Sequence, residues 1–157
     1  MPTPDEQIDV EGLRAQFLNK VFDEYEFTLD ADDLAIYAKS CGETAAKFTD
    51  PNDPDFQAPP TIASSLHPKT RHPEGFPSFV GLGMDAGKAA APTQPMRPGV
   101  PITARTHMHD IYTKSGRSGR MVFFVNRMEF ADAHGNHLGS ADTSVVIREK
   151  PTAGDQA

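Results

Sequence analysis

Residues Tyr37 to Leu66 read YAKSCGETAAKFTDPNDPDFQAPPTIASSL. Leu34, Tyr37, Ala38 and Cys41 fall on one helical face, with Cys41 read as a small core residue. Asp30 precedes them as a helix cap, Asp32 and Asp33 make an acidic first turn, and Gly42 supplies the stop. From Thr49 to Pro60 the chain is Asp-, Asn- and Pro-rich, which predicts a surface loop. It restarts at Ala58-Pro59-Pro60-Thr61, where Pro at a first helical position leads into a short helical piece over Thr61 to Leu66.

Outward from this stretch the periodicity changes. On the N-terminal side, Leu13, Phe17 and Val21 recur every fourth residue and predict a short amphipathic helix. Tyr25, Phe27 and Leu29 alternate with Glu26 and Thr28, a strand pattern. On the C-terminal side, His67 to Gly87 carries Pro68, Pro73 and Pro77 and reads as a long loop, and Lys88 to Met96 is weakly strand-like. Pro98-Gly99 marks a turn, Ile102 to His109 alternates as a strand, and a second turn falls at Gly116-Arg117-Ser118-Gly119. Met121 to Val125 is continuously apolar and predicts a central strand. Asp132 to Asn136 is a hairpin, and Leu138 to Ile147 is the last strand. Helices early and antiparallel strands late make the fold class α+β.

A chain of 157 residues predicts one domain, placed at residues 10–149 between a flexible N-terminus (1–9) and a flexible tail (150–157). A net charge of -7 argues against a general affinity for nucleic acid. The single cysteine excludes an intramolecular disulfide, and with no charged-then-apolar leader at its start the chain is expected in the cytoplasm. No apolar run is long enough for a membrane span.

Tyr37-Ala38, Asp50-Pro51, Ala58-Pro59-Pro60-Thr61, Met96-Arg97-Pro98-Gly99 and Asp110-Ile111-Tyr112 before the Gly116 to Arg120 turn together resemble the MaoC-like hydratases and dehydratases of acyl thioesters. The resemblance runs from about Val21 to Arg148 and is nearest to the N-terminal dehydratase domain of two-part members. It implies a hot-dog fold, a curved antiparallel sheet around a central helix, here short or broken. Active members carry Gly-Asp-x-Asn-Pro-x-His, in which the Asp and His transfer protons. This chain has Gly42-Glu43-Thr44-Ala45-Ala46-Lys47-Phe48 there. Glu43 keeps a carboxylate one methylene longer, but Phe48 has no proton to exchange. By general acid–base arithmetic the lost histidine alone costs about two to four orders of magnitude in rate.

The resemblance therefore implies no catalytic residue in this chain, Glu43 and Phe48 being degenerate positions. It implies a second MaoC-like hot-dog subunit bringing the Asp and His, in a heterodimer or heterotetramer that hydrates a bulky 2-enoyl thioester such as a steroid side chain. Alternatives are an acyl-CoA-binding homodimer without activity and a hot-dog thioesterase using Glu43. Pro59, Pro60 and Thr61 line the acyl tunnel, meet the partner, or form a plain turn. Ala89, Ala90 and Ala91 are small enough to widen a pocket. Lys114, Arg117 and Arg120 cluster in sequence at a glycine-bounded turn, either to hold coenzyme A phosphates or as a solvated hairpin tip. His107 and His109 read as structural rather than as a metal pair, and His67 and His72 with Lys69 and Arg71 as loop residues open to a phosphate or a partner. Neither metal nor cofactor is implied beyond the thioester substrate.

Overall fold

The computed structural model of the chain describes residues 7–117 and 119–149. Asp9 opens α1 (Val10–Phe17) by accepting the Gly12 amide, and Leu13 and Phe17 are its buried stripe. Val21 is not a third member of that stripe. The helix ends at Phe17, Asn19 takes a left-handed φ of 60°, and the exposed Val21 begins β1 (Val21–Phe27). Asp30 caps α2 (Ala31–Ser40) by accepting the Asp32 and Asp33 amides, as its position predicts. Gly42 stops that helix with φ 81°. Cys41 is the helix's C-cap and is exposed, so the helical periodicity had carried it one residue too far into the core.

After the four-residue α3 (Ala46–Thr49), the central helix is only a 3-10 turn, Pro60–Ser65. Pro59 and Pro60 preset its entry. Its exit is set by Ser64 and Ser65, whose hydroxyls donate back to the Thr61 and Ile62 carbonyls at 2.8 and 2.7 Å. Ile62 and Ala63 are buried, pressing the turn onto the sheet.

That sheet has the order β1-β3-β4-β5-β2, with β2 (Leu82–Pro92), β3 (Ile102–Gly116), β4 (Gly119–Asp132) and β5 (His137–Arg148), every pair antiparallel. It is the curved five-stranded sheet of a hot-dog fold. The strand expected over Lys88 to Met96 lies earlier, and the loop expected to reach Gly87 ends before Leu82. Gly83, Asp85 and Gly87 dilute the strand pattern there, yet β2 is held by its ladder with β5, with a bulge between Asp85 and Gly87.

Inner-face positions alternate along the two central strands: Ile102, Ala104, Thr106 and Met108 on β3, and Val122, Phe124, Asn126, Met128 and Phe130 on β4. They feed two apolar clusters. One joins Leu34, Phe56, Ile62, Ile102, Met128 and Phe130; the other joins Ile8, Leu13, Phe17, Met108, Val122 and Phe124. Between them lie two polar pairs on neighbouring rungs, Asp23 opposite Thr106 and Asn126 opposite Thr143. Of the expected flexible N-terminus, residues 1–6 lie outside the described residues, as does the tail 150–157. Ile8 is instead buried, and its amide donates to Glu149 at 2.6 Å.

Gly139 shows how closely β5 and β2 approach. Its φ is 147°, and an added Cβ would lie 2.9 Å from the Ala91 carbonyl oxygen and 3.0 Å from the Pro92 Cα. Gly139→Ala is expected to cost about 1–3 kcal/mol, read as a lower denaturation midpoint at unchanged slope. An unshifted midpoint means that the strand end moves freely.

Candidate functional site

Four of the motif pieces, around Tyr37, Asp50, Ala58 and Met96, meet at one end of the sheet, whereas Asp110-Ile111-Tyr112 lies with the other cluster, bound to Arg14. The Tyr37 hydroxyl lies 3.3 Å from the Thr61 carbonyl, the Gln57 amide donates to Lys47 at 2.9 Å, and the Ala58 amide donates to Met96 at 2.8 Å. Arg97 donates to the Phe56 carbonyl at 3.1 Å, and the Gly99 amide donates to Leu29 at 2.9 Å. These bonds fasten the loop of residues 50–60 under the 96–99 turn. Beside them lies a cavity of about 170 Å³ lined by Pro59, Pro60, Ala63, Pro92, Gln94 and Met96.

At this site the degenerate positions point away from proton transfer. Glu43 Oε1 accepts the Thr44 and Ala45 amides at 2.8 and 3.0 Å. The Ala45 amide first, then the Thr44 amide and the Lys47 charge, hold its carboxyl below the usual carboxylate range. A carboxylate so stabilised is a weaker base. Phe48 is half-buried with the Lys47 ammonium 4.9 Å from its ring centroid. Pro59 and Pro60 have no N–H, and the Ile62 amide already donates to Pro59 at 2.9 Å, so the start of the 3-10 turn offers few donors for a thioester oxygen.

Strand pairing sorts the alanines. Ala89 and Ala91 stand opposite Asp142 and Ser140 on the outer side, whereas Ala90 stands opposite the buried Ala141 on the inner side. Ala90, not Ala89 or Ala91, is therefore the small residue facing the 3-10 turn. None of Ala89, Ala90 and Ala91 lines the cavity beside Pro59.

The three basic residues do not form one cradle. Arg120 is bound to Glu149 at 3.0 Å and to the Ile8 carbonyl at 3.2 Å. Lys114 lies over the stacked rings of Tyr112 and Phe123, 5.6 and 5.3 Å from their centroids. Only Arg117 projects at the hairpin tip, exposed.

The outer face carries His107 and His109, ring centroids 5.7 Å apart, beside the Arg127–Asp142 pair. Burial is the main force pushing the His107 imidazole down. Among the described residues no His, Cys, Asp or Glu group is arranged to hold a metal ion. Arg127 grips Asp142 by two bonds of 2.7 and 2.8 Å and keeps its carboxyl below the ordinary range against partial burial. A depressed folded-state pKa stabilises above the unfolded value, and that contribution disappears as pH falls through the lowered one. Asp142→Asn is expected to lose about 1 kcal/mol at neutral pH, the gap from wild type closing in strong acid. A gap that persists in acid assigns the effect to packing.

Sequence periodicity had not marked a second, larger cavity of about 310 Å³ at the other end of the sheet. Residues 72–79 roof it. Phe76 meets Phe124 edge-on at 5.6 Å, Phe79 stacks on Phe124 at 5.3 Å, and Val145 and Ile147 form the β5 wall. Asn126 is its one polar strand residue, readable in sequence as the break in the alternation Val122, Phe124, Met128, Phe130.

The sequence matches the family described as FAS1-like, dehydratase domain region, over residues 16–140. No curated protein matches it. Among solved structures, a MaoC-like dehydratase from Phytophthora capsici is similar at TM-score 0.69 and 22% identity, over 90% of this chain and 50% of that one. The chain thus spans half the length of that relative. The ChsH1-ChsH2 complex from Mycobacterium tuberculosis is similar at TM-score 0.62 and 10% identity, covering 94% of this chain and 96% of that one. The HadBC (3R-hydroxyacyl-ACP dehydratase) complex from the same organism gives 0.60 and 13%, with 83% and 96% covered. No described helix is long and apolar enough to cross a membrane. With the family match spanning most of the chain and its sheet shared with MaoC-like dehydratases, this protein belongs to the FAS1-like dehydratase domain region family and has the hot-dog fold.

Proposed function

We propose that this chain is the non-catalytic, substrate-binding subunit of a heteromeric enoyl-thioester hydratase. It would act with a second hot-dog chain that carries the proton-transfer Asp and His, in the cytoplasm and with no cofactor beyond the thioester. The observation that carries the proposal is the pairing of Phe48, which has no proton to move, with a Glu43 carboxylate turned onto its own loop. Three further facts support it. The central helix is reduced to Pro60–Ser65, which leaves room for a large acyl group. The edge strand β2 is exposed along its whole length, and an unpaired edge needs a cover. Two structures that share the fold are described as complexes, HadBC and ChsH1-ChsH2, and this chain matches only half of the Phytophthora protein. A steroid side chain is the proposed acyl group. Lys114 and Arg117 remain the candidates for coenzyme A phosphate, with Arg120 held on Glu149.

The test is hydration of a bulky 2-enoyl-CoA by the purified chain alone, by a hot-dog partner alone, and by both. Activity only in the mixture supports the reading. Hydration by this chain alone overturns it, as does thioester hydrolysis that vanishes in Glu43→Gln. A stable acyl-CoA-binding homodimer that recruits no partner also overturns it.

A further inference from the structure

Lys88 lies on the inner face of the edge strand β2, opposite Thr143 and two residues before the inward Ala90. Its ammonium reaches across to the end of the 3-10 turn, donating to the Ser64 carbonyl at 3.1 Å, and stands 3.5 Å from Nε2 of His67. An ammonium has only hydrogens to offer, so the imidazole meets it with a lone pair and carries its own hydrogen on Nδ1. At least one of the three ammonium hydrogens remains uncommitted. No carboxylate answers this charge: among the described residues neither Lys88 nor Lys69 is ion-paired. Lys69 follows on the same loop, its ammonium 4.7 Å from the Tyr25 ring centroid, and the Tyr25 hydroxyl donates to the His67 carbonyl at 2.9 Å. The loop backbone is fixed by Asp23, buried on β1, which accepts the Lys69 and Thr70 amides at 3.0 and 3.1 Å, and by Asn126, whose Nδ2 donates to the Arg71 carbonyl at 3.3 Å. Two basic side chains are thus held side by side without a counter-ion, in a chain where 22 acidic residues face 15 basic ones.

We propose that Lys88 and His67 bind a phosphate group on this inner face, with Lys69 adding to the local positive potential. One phosphate oxygen accepts from the ammonium and another from Nε2. The imidazole exchanges its hydrogen from Nδ1 to Nε2 with water, and its lone-pair contact with Lys88 is given up. Thr143, on the same rung as Lys88, places a hydroxyl beside them. Phosphate is favoured over carboxylate because it brings more negative charge and a third acceptor oxygen to a site made only of donors. The site is distinct from the β3–β4 hairpin tip, where Lys114 stands over the outer-face rings of Tyr112 and Phe123. The inference goes beyond the proposed function and stands without it. Only its extension from free phosphate to the phosphates of a coenzyme A carrier rests on that reading.

The experiment titrates the full chain with inorganic phosphate at fixed ionic strength and follows the imidazole nitrogen resonances of His67. Saturable binding is expected, with the Nε2 signal moving from that of an acceptor to that of a hydrogen-bearing nitrogen. Acetate is expected to bind about tenfold more weakly. Lys88→Gln, which keeps a donor for Ser64 but not the charge, is expected to weaken phosphate about tenfold. Lys88→Arg, which keeps both, is expected to cost about threefold at most. Lys39→Met removes an equal charge from the last turn of α2 and is expected to leave the affinity within about twofold of wild type. Coenzyme A and dephospho-coenzyme A then separate the sources. If Lys88→Gln weakens coenzyme A alone, the site holds its ribose phosphate; if both, its pyrophosphate; if neither, while inorganic phosphate is weakened, free phosphate. No saturable phosphate binding, acetate as tight as phosphate, an unmoved Nε2 signal, or a Lys39→Met loss equal to that of Lys88→Gln overturns the inference. Inorganic phosphate is no thioester and needs no partner chain. A failed hydratase assay therefore leaves this result standing, and a failed phosphate titration leaves the hydratase reading untouched.

Discussion

Exchanging the proton-transfer histidine of the second subunit for alanine is expected to slow hydration by the reconstituted pair about a hundred- to ten-thousandfold, while Glu43→Gln in this chain leaves the rate unchanged. The asymmetry follows from where protons can go. Hydration needs one group to take a proton from the attacking water and another to give one to the α-carbon. Phe48 does neither, and Glu43 is already satisfied by the Thr44 and Ala45 amides. Those amides favour its ionised form, which lowers its basicity and keeps it from delivering a proton near neutral pH. A large loss of rate in Glu43→Gln, with the partner intact, would place a catalytic group in this chain and defeat the silent-subunit reading. Steady-state kinetics separates the cases: a loss confined to KM assigns Glu43 to binding, and a loss in kcat assigns it to chemistry.

Phe130→Ala is expected to cost about 3–5 kcal/mol of folding stability, measured by urea or guanidinium unfolding. Phe130 is fully buried and meets Phe27 edge to face at 6.4 Å. Its cluster draws on α2 through Leu34, on the 3-10 turn through Ile62, and on β3 through Ile102. The sheet floor and the short central turn therefore share one set of contacts around this ring. Against a total stability of about 5–15 kcal/mol, a loss of that size leaves a marginal subunit. The comparison is Phe123→Ala, on the opposite face of the same strand and only partly buried, where the loss should be clearly smaller. Equal losses at the two positions would mean that the outer face is covered as thoroughly as the inner one.

Much of the framework was legible because it follows from local chemistry. The Asp30 cap, the Gly42 stop and the proline entry at Pro60 depend on neighbours within a turn, and each stands where its residue type predicts. The hairpin of β3 and β4 was readable at its glycine turn and in the cores of its strands, Ile102 to His109 and Met121 to Val125, but both strands run well beyond those stretches. Where the reading failed, contacts distant in sequence decided the outcome. The strand over Leu82–Pro92 has weak intrinsic preference and exists through pairing with β5. The same pairing separates Ala90 from Ala89 and Ala91, because neighbouring residues of a strand face opposite sides and only the ladder with β5 says which side is inner. Arg120, open in sequence to a phosphate or to solvent at the hairpin tip, is held by Glu149, 29 residues away.

The sequence by itself determined the fold class, the Asp30 cap and Gly42 stop before the degenerate motif and the lack of a histidine at position 48, because these are matters of residue identity and near-neighbour spacing. Only the tertiary structure decided which side chains face one another across the sheet. It brought residues 69–71 onto Asp23 and Asn126 and placed two phenylalanines of the 72–79 loop against Phe124. Such an arrangement depends on strand register and loop closure together, and no local pattern in the chain encodes it.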